Sequence, residues 1–183
     1  MSNLNLKKKI ESVFEVGCGS GPNLLIFRNE GLRIGGIDYS EALIKSAKSV
    51  LGSDLQECFC DEAINMPTEE KYDSVLSNGV FHYFPSLDYA SKVIEKMIDK
   101  ANYSVGLIDI HDVEKQEDFL AWRRRETKDY DVLYKGLDKQ FYSREWMNHV
   151  AERNNCEIMF TDSNVEGYWN NEFVFDVYFY KRR

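Results

Sequence analysis

The chain has 183 residues, 43% of them hydrophobic and 14% aromatic, with a formal net charge of −8. That length suits one globular domain with a full core, leaves two complete domains cramped, and the apolar content is too rich for a disordered chain. No apolar run approaches the roughly 20 residues that cross a bilayer, and the negative charge opposes attraction to phosphate backbones, so neither a membrane nor a nucleic acid is expected as a partner.

The opening MSNLNLKKKI carries lysines without an apolar stretch or a small-residue cleavage site behind them, and a soluble, cytoplasmic protein is expected. Cys18, Cys58, Cys60 and Cys156 form no CxxC pair. Cys58 and Cys60 alternate as residues of a strand do, so neither a disulfide framework nor a metal site is expected.

From residue 12 onward, β-rich runs alternate with helix-patterned stretches, the signature of a parallel α/β sheet. Strands are expected at 12–16, 33–38, 55–60, 72–77, 103–110, 156–161 and 173–180. Helices are expected at 22–29, 41–51, 87–100 and 144–154, where apolar residues recur at helical spacing, as with Val93, Met97 and Ile94, Ile98. Pro22 suits a first helical position, and Ser40 and Ser143 suit N-caps. The loop between the last two strands is too short for a crossover helix, so the seventh strand must run antiparallel to the sixth. Residues 112–142 are an irregular insertion within what reads as a single domain over 1–183.

The turn Glu15-Val16-Gly17-Cys18-Gly19-Ser20-Gly21 stands between a strand and a helix, where glycines let a ligand approach the backbone. A dinucleotide turn would read GxGxxG, with free helix N–H groups facing a pyrophosphate. Here Pro22 has no N–H, and Glu15 would repel a pyrophosphate while suiting a cationic amino group. Strand two ends at Asp38, a carboxylate placed to accept both hydroxyls of a ribose; a nicotinamide enzyme would share it.

Four blocks in order, VFEVGCGSGPNL, GGIDYSEALIKSAK, CDEAINMP and YDSVLSNGVFHYFP, give the chain a resemblance to the class I S-adenosylmethionine-dependent methyltransferases over about residues 12–110. Within that superfamily the chain resembles the small-molecule, type 11/12-like branch. The resemblance implies a Rossmann-like sheet of order 3-2-1-4-5-7-6 with helices on both faces. It also implies S-adenosylmethionine as cofactor and S-adenosylhomocysteine as product. Carried over by position, Glu15, Gly17, Gly19 and Gly21 would hold the methionyl part, and Asp38 with Tyr39 the ribose. The acid-Ala-x-x-Leu-Pro pattern falls on Glu62-Ala63-Ile64-Asn65-Met66-Pro67, which makes Glu62 the partner of the adenine amino group and Asp61 the fallback. Ser77, Asn78 and Gly79 would meet the methionyl end. The Pro-Gly-Gly turn usual before strand five is replaced by Ile98-Asp99-Lys100-Ala101-Asn102-Tyr103.

In an open α/β sheet ligands bind beyond the carboxyl ends of the strands. Methyl transfer to a hydroxyl needs alignment and a proton acceptor, for which a histidine is the ordinary choice. His82 and His111 are the candidates, with Asp109 or Asp112 expected to orient His111. Tyr83, Asp109, Tyr168, Trp169 and Asn170 are candidate acceptor contacts, their aromatics and amides suiting a sugar or another polar secondary metabolite. The aromatic-rich insertion is expected to lid the crevice in place of the N-terminal helices usual in the family. The expected activity is methyl transfer to oxygen, less favourably nitrogen, of a small polar metabolite by a monomer or homodimer. The alternatives are a non-catalytic cofactor-binding sensor or partner subunit, and a nicotinamide oxidoreductase.

Overall fold

The computed structural model describes residues 9–182. Seven strands form one sheet of order β3-β2-β1-β4-β5-β7-β6: β1 (Ser12–Val16), β2 (Arg33–Asp38), β3 (Leu55–Cys60), β4 (Tyr72–Asn78), β5 (Ala101–His111), β6 (Cys156–Asp162) and β7 (Val174–Lys181). The first five run parallel, and β7 pairs antiparallel with both β5 and β6. This is the expected order, with the last strand reversed as the short connection requires. The helices are α1 (Pro22–Asn29), α2 (Glu41–Leu51), α3 (Leu87–Lys100), α4 (Gln116–Glu126), α5 (Tyr130–Leu133) and α6 (Arg144–Arg153).

Local signals start the helices where they were expected. Pro22 opens α1, where its missing N–H leaves no helical bond unmade. The hydroxyls of Ser40, Ser86 and Ser143 accept from the backbone N–H groups of Leu43, Tyr89 and Trp146, capping α2, α3 and α6. Two apolar clusters hold the helices to the sheet. Leu24, Ile34, Ile44, Ala47 and Leu51 join α1 and α2 to β2. A larger cluster, including Phe14, Val75, Val93, Met97, Met147 and Phe175, lies under α3 and α6.

Lys100, at the end of α3, is fully buried. Its ammonium donates to Glu57 Oε2 (2.9 Å), Pro67 O (2.9 Å) and Glu70 O (3.0 Å) and stands 4.3 Å from the centre of the Phe14 ring. All three protons thus have partners, the condition under which a buried ammonium is tolerated. Among the described residues no helix is long and apolar enough to cross a membrane.

The insertion is ordered by aromatic contacts. Phe119 of α4 packs with Phe141 and Phe173, and Trp122 stacks on Trp169 at 4.5 Å between centroids and 10° between planes. This ties α4 to the loop before β7. Such a pair contributes about 0.5–1.5 kcal/mol beyond its buried area. Trp122→Ala is therefore expected to speed protease cleavage within 112–142 several-fold while lowering the melting temperature by only a few degrees. Unchanged cleavage would show that the stack does not hold the insertion down.

Candidate active site

The glycine turn is pinned to the end of β2. Gly17 and Cys18 donate their N–H groups to Ile37 O at 2.8 and 3.1 Å. Gly17 has φ 74°, and a Cβ there would stand 2.3 Å from Val80 Cγ2, so the position accepts only glycine. At Gly19, also at positive φ, a Cβ would meet nothing closer than Leu43 Cδ1 at 4.0 Å; what glycine leaves there is open space beside the turn.

Asp38 ends β2 and is buried. Its Oδ2 accepts from Gly19 N–H and its Oδ1 from Ser40 N–H, each at 2.9 Å. One carboxylate therefore shapes both the turn and the cap of α2, and each oxygen keeps a lone pair for a further donor. Tyr39 beside it is exposed.

Glu15 is only 2% exposed. Asn23 Nδ2 donates to its Oε1 at 2.6 Å, while Oε2 is buried with no partner among the described residues. Burial pushes the carboxyl up to about 7; the Asn23 amide opposes the shift and the charge of Asp38 adds to it. Sequence reasoning missed Asn23, although its place one residue past Pro22 put its amide a turn away from Glu15.

After β3, Asp61 Oδ1 accepts from Glu62 N–H (2.7 Å) and Asn65 Nδ2 (2.8 Å). These bonds hold its carboxyl below the usual range. Glu62 is exposed, its Oε2 accepting a 3.4 Å bond from the Tyr89 hydroxyl, and Ala63 begins a short 3-10 turn. After β4, the Ser77 hydroxyl donates to Val16 O at 2.9 Å, and Gly79 N–H donates to Ile108 O at 3.1 Å, with Asn78 exposed between them. Since β1, β2, β3 and β4 are parallel neighbours, these residues, with Gly21 at the foot of α1, gather at one edge of the sheet.

A second group lies beyond β4 and β5. The rings of His82 and His111 stack at 4.5 Å between centroids and are 7% and 3% exposed. Burial pushes His82 down to about 3, helped by His111 and Lys139, and His111 down to about 4, helped by Lys139. Both rings are neutral at pH 7. Asp109 has φ 64° at the irregularity where the β5–β7 register shifts. Its N–H donates to Asp176 Oδ1 at 3.0 Å, and its Oδ1 accepts from the Tyr168 hydroxyl (2.8 Å) and Asn170 Nδ2 (3.0 Å).

The expected carboxylate support of His111 is corrected by these contacts. Asp112 is committed to Arg144 Nη1 and Glu114 N–H, while Asp109, whose Oδ1 accepts from the loop before β7, brings an oxygen within 4.8 Å of a His111 ring nitrogen without a hydrogen bond to it. The neighbour that reaches His111 is Asn170, with Nδ2 at 3.5 Å from Nε2. Asp112 caps its own turn because it is the residue before one, a competition that spacing alone did not reveal. Tyr83 is exposed, and Lys139, also missed, places its ammonium 3.5 Å from the Tyr83 ring centre. Trp169 has one ring face taken up by Trp122. Arg124 and Arg125 of the insertion pair with Asp131 and Glu126.

Comparisons with known proteins converge on one family. A methyltransferase domain model matches residues 14–103. A malonyl-[acyl-carrier protein] O-methyltransferase of Priestia megaterium is 29% identical over 92 residues, covering 49% of this chain and 34% of that protein. The chain thus spans about a third of the length of this curated relative. Among solved structures, the plantazolicin methyltransferase BpumL in complex with SAH superposes with a TM-score of 0.71 at 17% identity, over 98% of this chain and 79% of that one. The magnesium protoporphyrin IX methyltransferase of Synechocystis PCC 6803 with bound SAM gives 0.65 at 17%, over 97% and 72%. The sheet order with its reversed last strand, the glycine turn closed on Asp38 and the family match from β1 to the start of β5 agree, and the chain carries a methyltransferase domain of the class I, S-adenosylmethionine-dependent type.

Proposed function

We propose that the chain transfers a methyl group from S-adenosylmethionine to oxygen, less favourably nitrogen, of a small polar metabolite. The observation that carries this reading is the pairing of Asp38, fixed by Gly19 and Ser40, with a buried Glu15 whose second oxygen lacks a partner. These residues fit the cofactor: Glu15 Oε2 suits an ammonium and Asp38 suits vicinal hydroxyls. Glu62 is the better partner for the adenine amino group, because Asp61 Oδ1 already accepts two bonds.

When bound, the cofactor supplies an electrophilic methyl on a sulfonium. The protein's part is to align the acceptor with that methyl and to exclude water. His82 and His111, unprotonated and buried, accept a hydrogen bond from the acceptor hydroxyl and orient its oxygen. The burial that keeps them neutral also makes them weak proton acceptors, since an efficient base has a pKa near the working pH. Asp109, Tyr83, Tyr168, Trp169 and Asn170 contact the acceptor, and residues 112–142 cover it as a lid. Oxygen as acceptor is supported by the name of the Priestia relative. Within this reading the chain works in the cytoplasm as a monomer or homodimer.

Calorimetric titration with S-adenosylhomocysteine and with NADH, followed by a labelled-methyl screen of hydroxylated metabolites, tests the reading. Saturable binding of the first ligand alone is the expected result. Binding of NADH alone would overturn it. A non-catalytic sensor would bind S-adenosylhomocysteine and transfer no methyl to any acceptor.

A further inference from the structure

We infer that His82, His111 and Asp109 form a binding site for one divalent transition-metal ion of the zinc or ferrous class. One donor atom from each of the three lies within 4.8 Å of the others. Ligands about 2.0–2.2 Å from a tetrahedral ion stand roughly 3.4 Å apart, so a shift of about 1 Å in side-chain position closes the set.

Independent observations aim these groups at a ligand. Nδ1 of His82 and Nδ1 of His111 are buried with no hydrogen-bond partner among the described residues, although the two residues are only 7% and 3% exposed. An unpaired buried ring nitrogen is costly unless something occupies its lone pair.

Asp109 is oriented as a ligand would be. Tyr168 and Asn170 both donate to Oδ1, leaving Oδ2, which faces the Gly79 side of the crevice. Such outer hydrogen bonds fix ligating carboxylates in metal sites. Two imidazoles and one carboxylate are a donor set that suits zinc or ferrous iron and leaves coordination positions open. The Lys139 ammonium, held over the Tyr83 ring, opposes a cation here, whereas the carboxylate of Asp109 and that of Asp176 behind it favour one.

The site stands without the methyl-transfer reading; only its consequence rests on that reading. With an ion bound, the two rings would reach the acceptor hydroxyl through it, in place of the direct hydrogen bonds proposed above, and a hydroxyl on an open coordination position would become more acidic.

The test uses the full chain, stripped with a chelator and titrated with Zn²⁺ alone, with a parallel Co²⁺ titration read by absorption. One Zn²⁺ per chain is expected, with affinity lowered about 100-fold or more in Asp109→Asn and in His111→Ala, a loss at the upper end of outer-sphere effects or beyond. The Co²⁺ spectrum should lack a thiolate charge-transfer band. Asp109→Asn is the deciding variant if His111→Ala does not fold: asparagine tolerates the φ of 64° and can still accept from Tyr168. No Zn²⁺ binding by the wild type, unchanged affinity in a folded Asp109→Asn, or a thiolate band would each overturn the site. S-adenosylhomocysteine titrations on the same samples keep the two readings separate, because loss of cofactor binding with Zn²⁺ binding intact counts against the methyl-transfer reading alone.

Discussion

Asp38→Ala is expected to lower affinity for S-adenosylhomocysteine by about 100-fold or more, measured by calorimetry at pH 7.5. The carboxylate accepts 2.9 Å bonds from Gly19 and Ser40 N–H, so alanine removes the ribose acceptor and also frees the turn that must cradle the ligand. Hydrogen bonds to a charged group are worth about 1.5–3 kcal/mol each, and each 1.4 kcal/mol is tenfold in affinity. Two lost hydroxyl contacts therefore predict a loss of at least about 100-fold. Asp38→Asn separates the contributions: its Oδ1 can keep one backbone bond, while its amide donates where the carboxylate accepted. It should fall between wild type and alanine. Affinity within a few-fold of wild type in both variants would remove Asp38 from the cofactor site.

Much of this architecture is legible in the residues. The bounds of β1, β2 and β3 and of α1, α2 and α3 fall where alternation, helical periodicity, Pro22 and Ser40 place them, because those elements pack apolar residues against the sheet. The insertion was not resolved into helices for a physical reason. Among α4 residues only Phe119 is buried, so there is no apolar stripe to mark a period. The gathering of Glu15, Gly17, Gly19 and Asp38 was readable from strand ends. The stacking of His82 on His111 was not, because it depends on where the turn after β4 and the irregularity at Asp109 send two side chains. The same holds for Asn170, whose side chain reaches Asp109 across 61 residues of sequence.

Glu15 should make cofactor affinity depend on pH in one direction and the stability of the ligand-free chain in the other. Its carboxyl, raised to about 7 chiefly by burial, stays protonated in the free protein below that pH, whereas in the unfolded chain it ionises at its ordinary, lower value. Between the two values the folded state holds the extra proton. The stabilisation this gives is fully present below the unfolded value and is lost as pH rises through about 7. The melting temperature of the wild type relative to that of Glu15→Gln should fall over that interval, because the opposite contribution of the buried neutral His82 and His111 is common to both proteins and cancels in the difference.

The ligand's ammonium reverses the preference, because it favours the ionised carboxylate and must displace the proton. Wild-type affinity for S-adenosylhomocysteine should thus rise about 20-fold from pH 5.5 to 7.5, with up to about one proton released per ligand bound at the acid end. Titration in two buffers of different ionisation enthalpy reads that proton directly. Glu15→Gln should bind weakly and with no such pH dependence, its amide facing the ammonium without a charge. An equal pH dependence in the variant would assign the linked proton to another group, and a flat wild-type profile would mean that the unpartnered Oε2 does not meet the cofactor's ammonium.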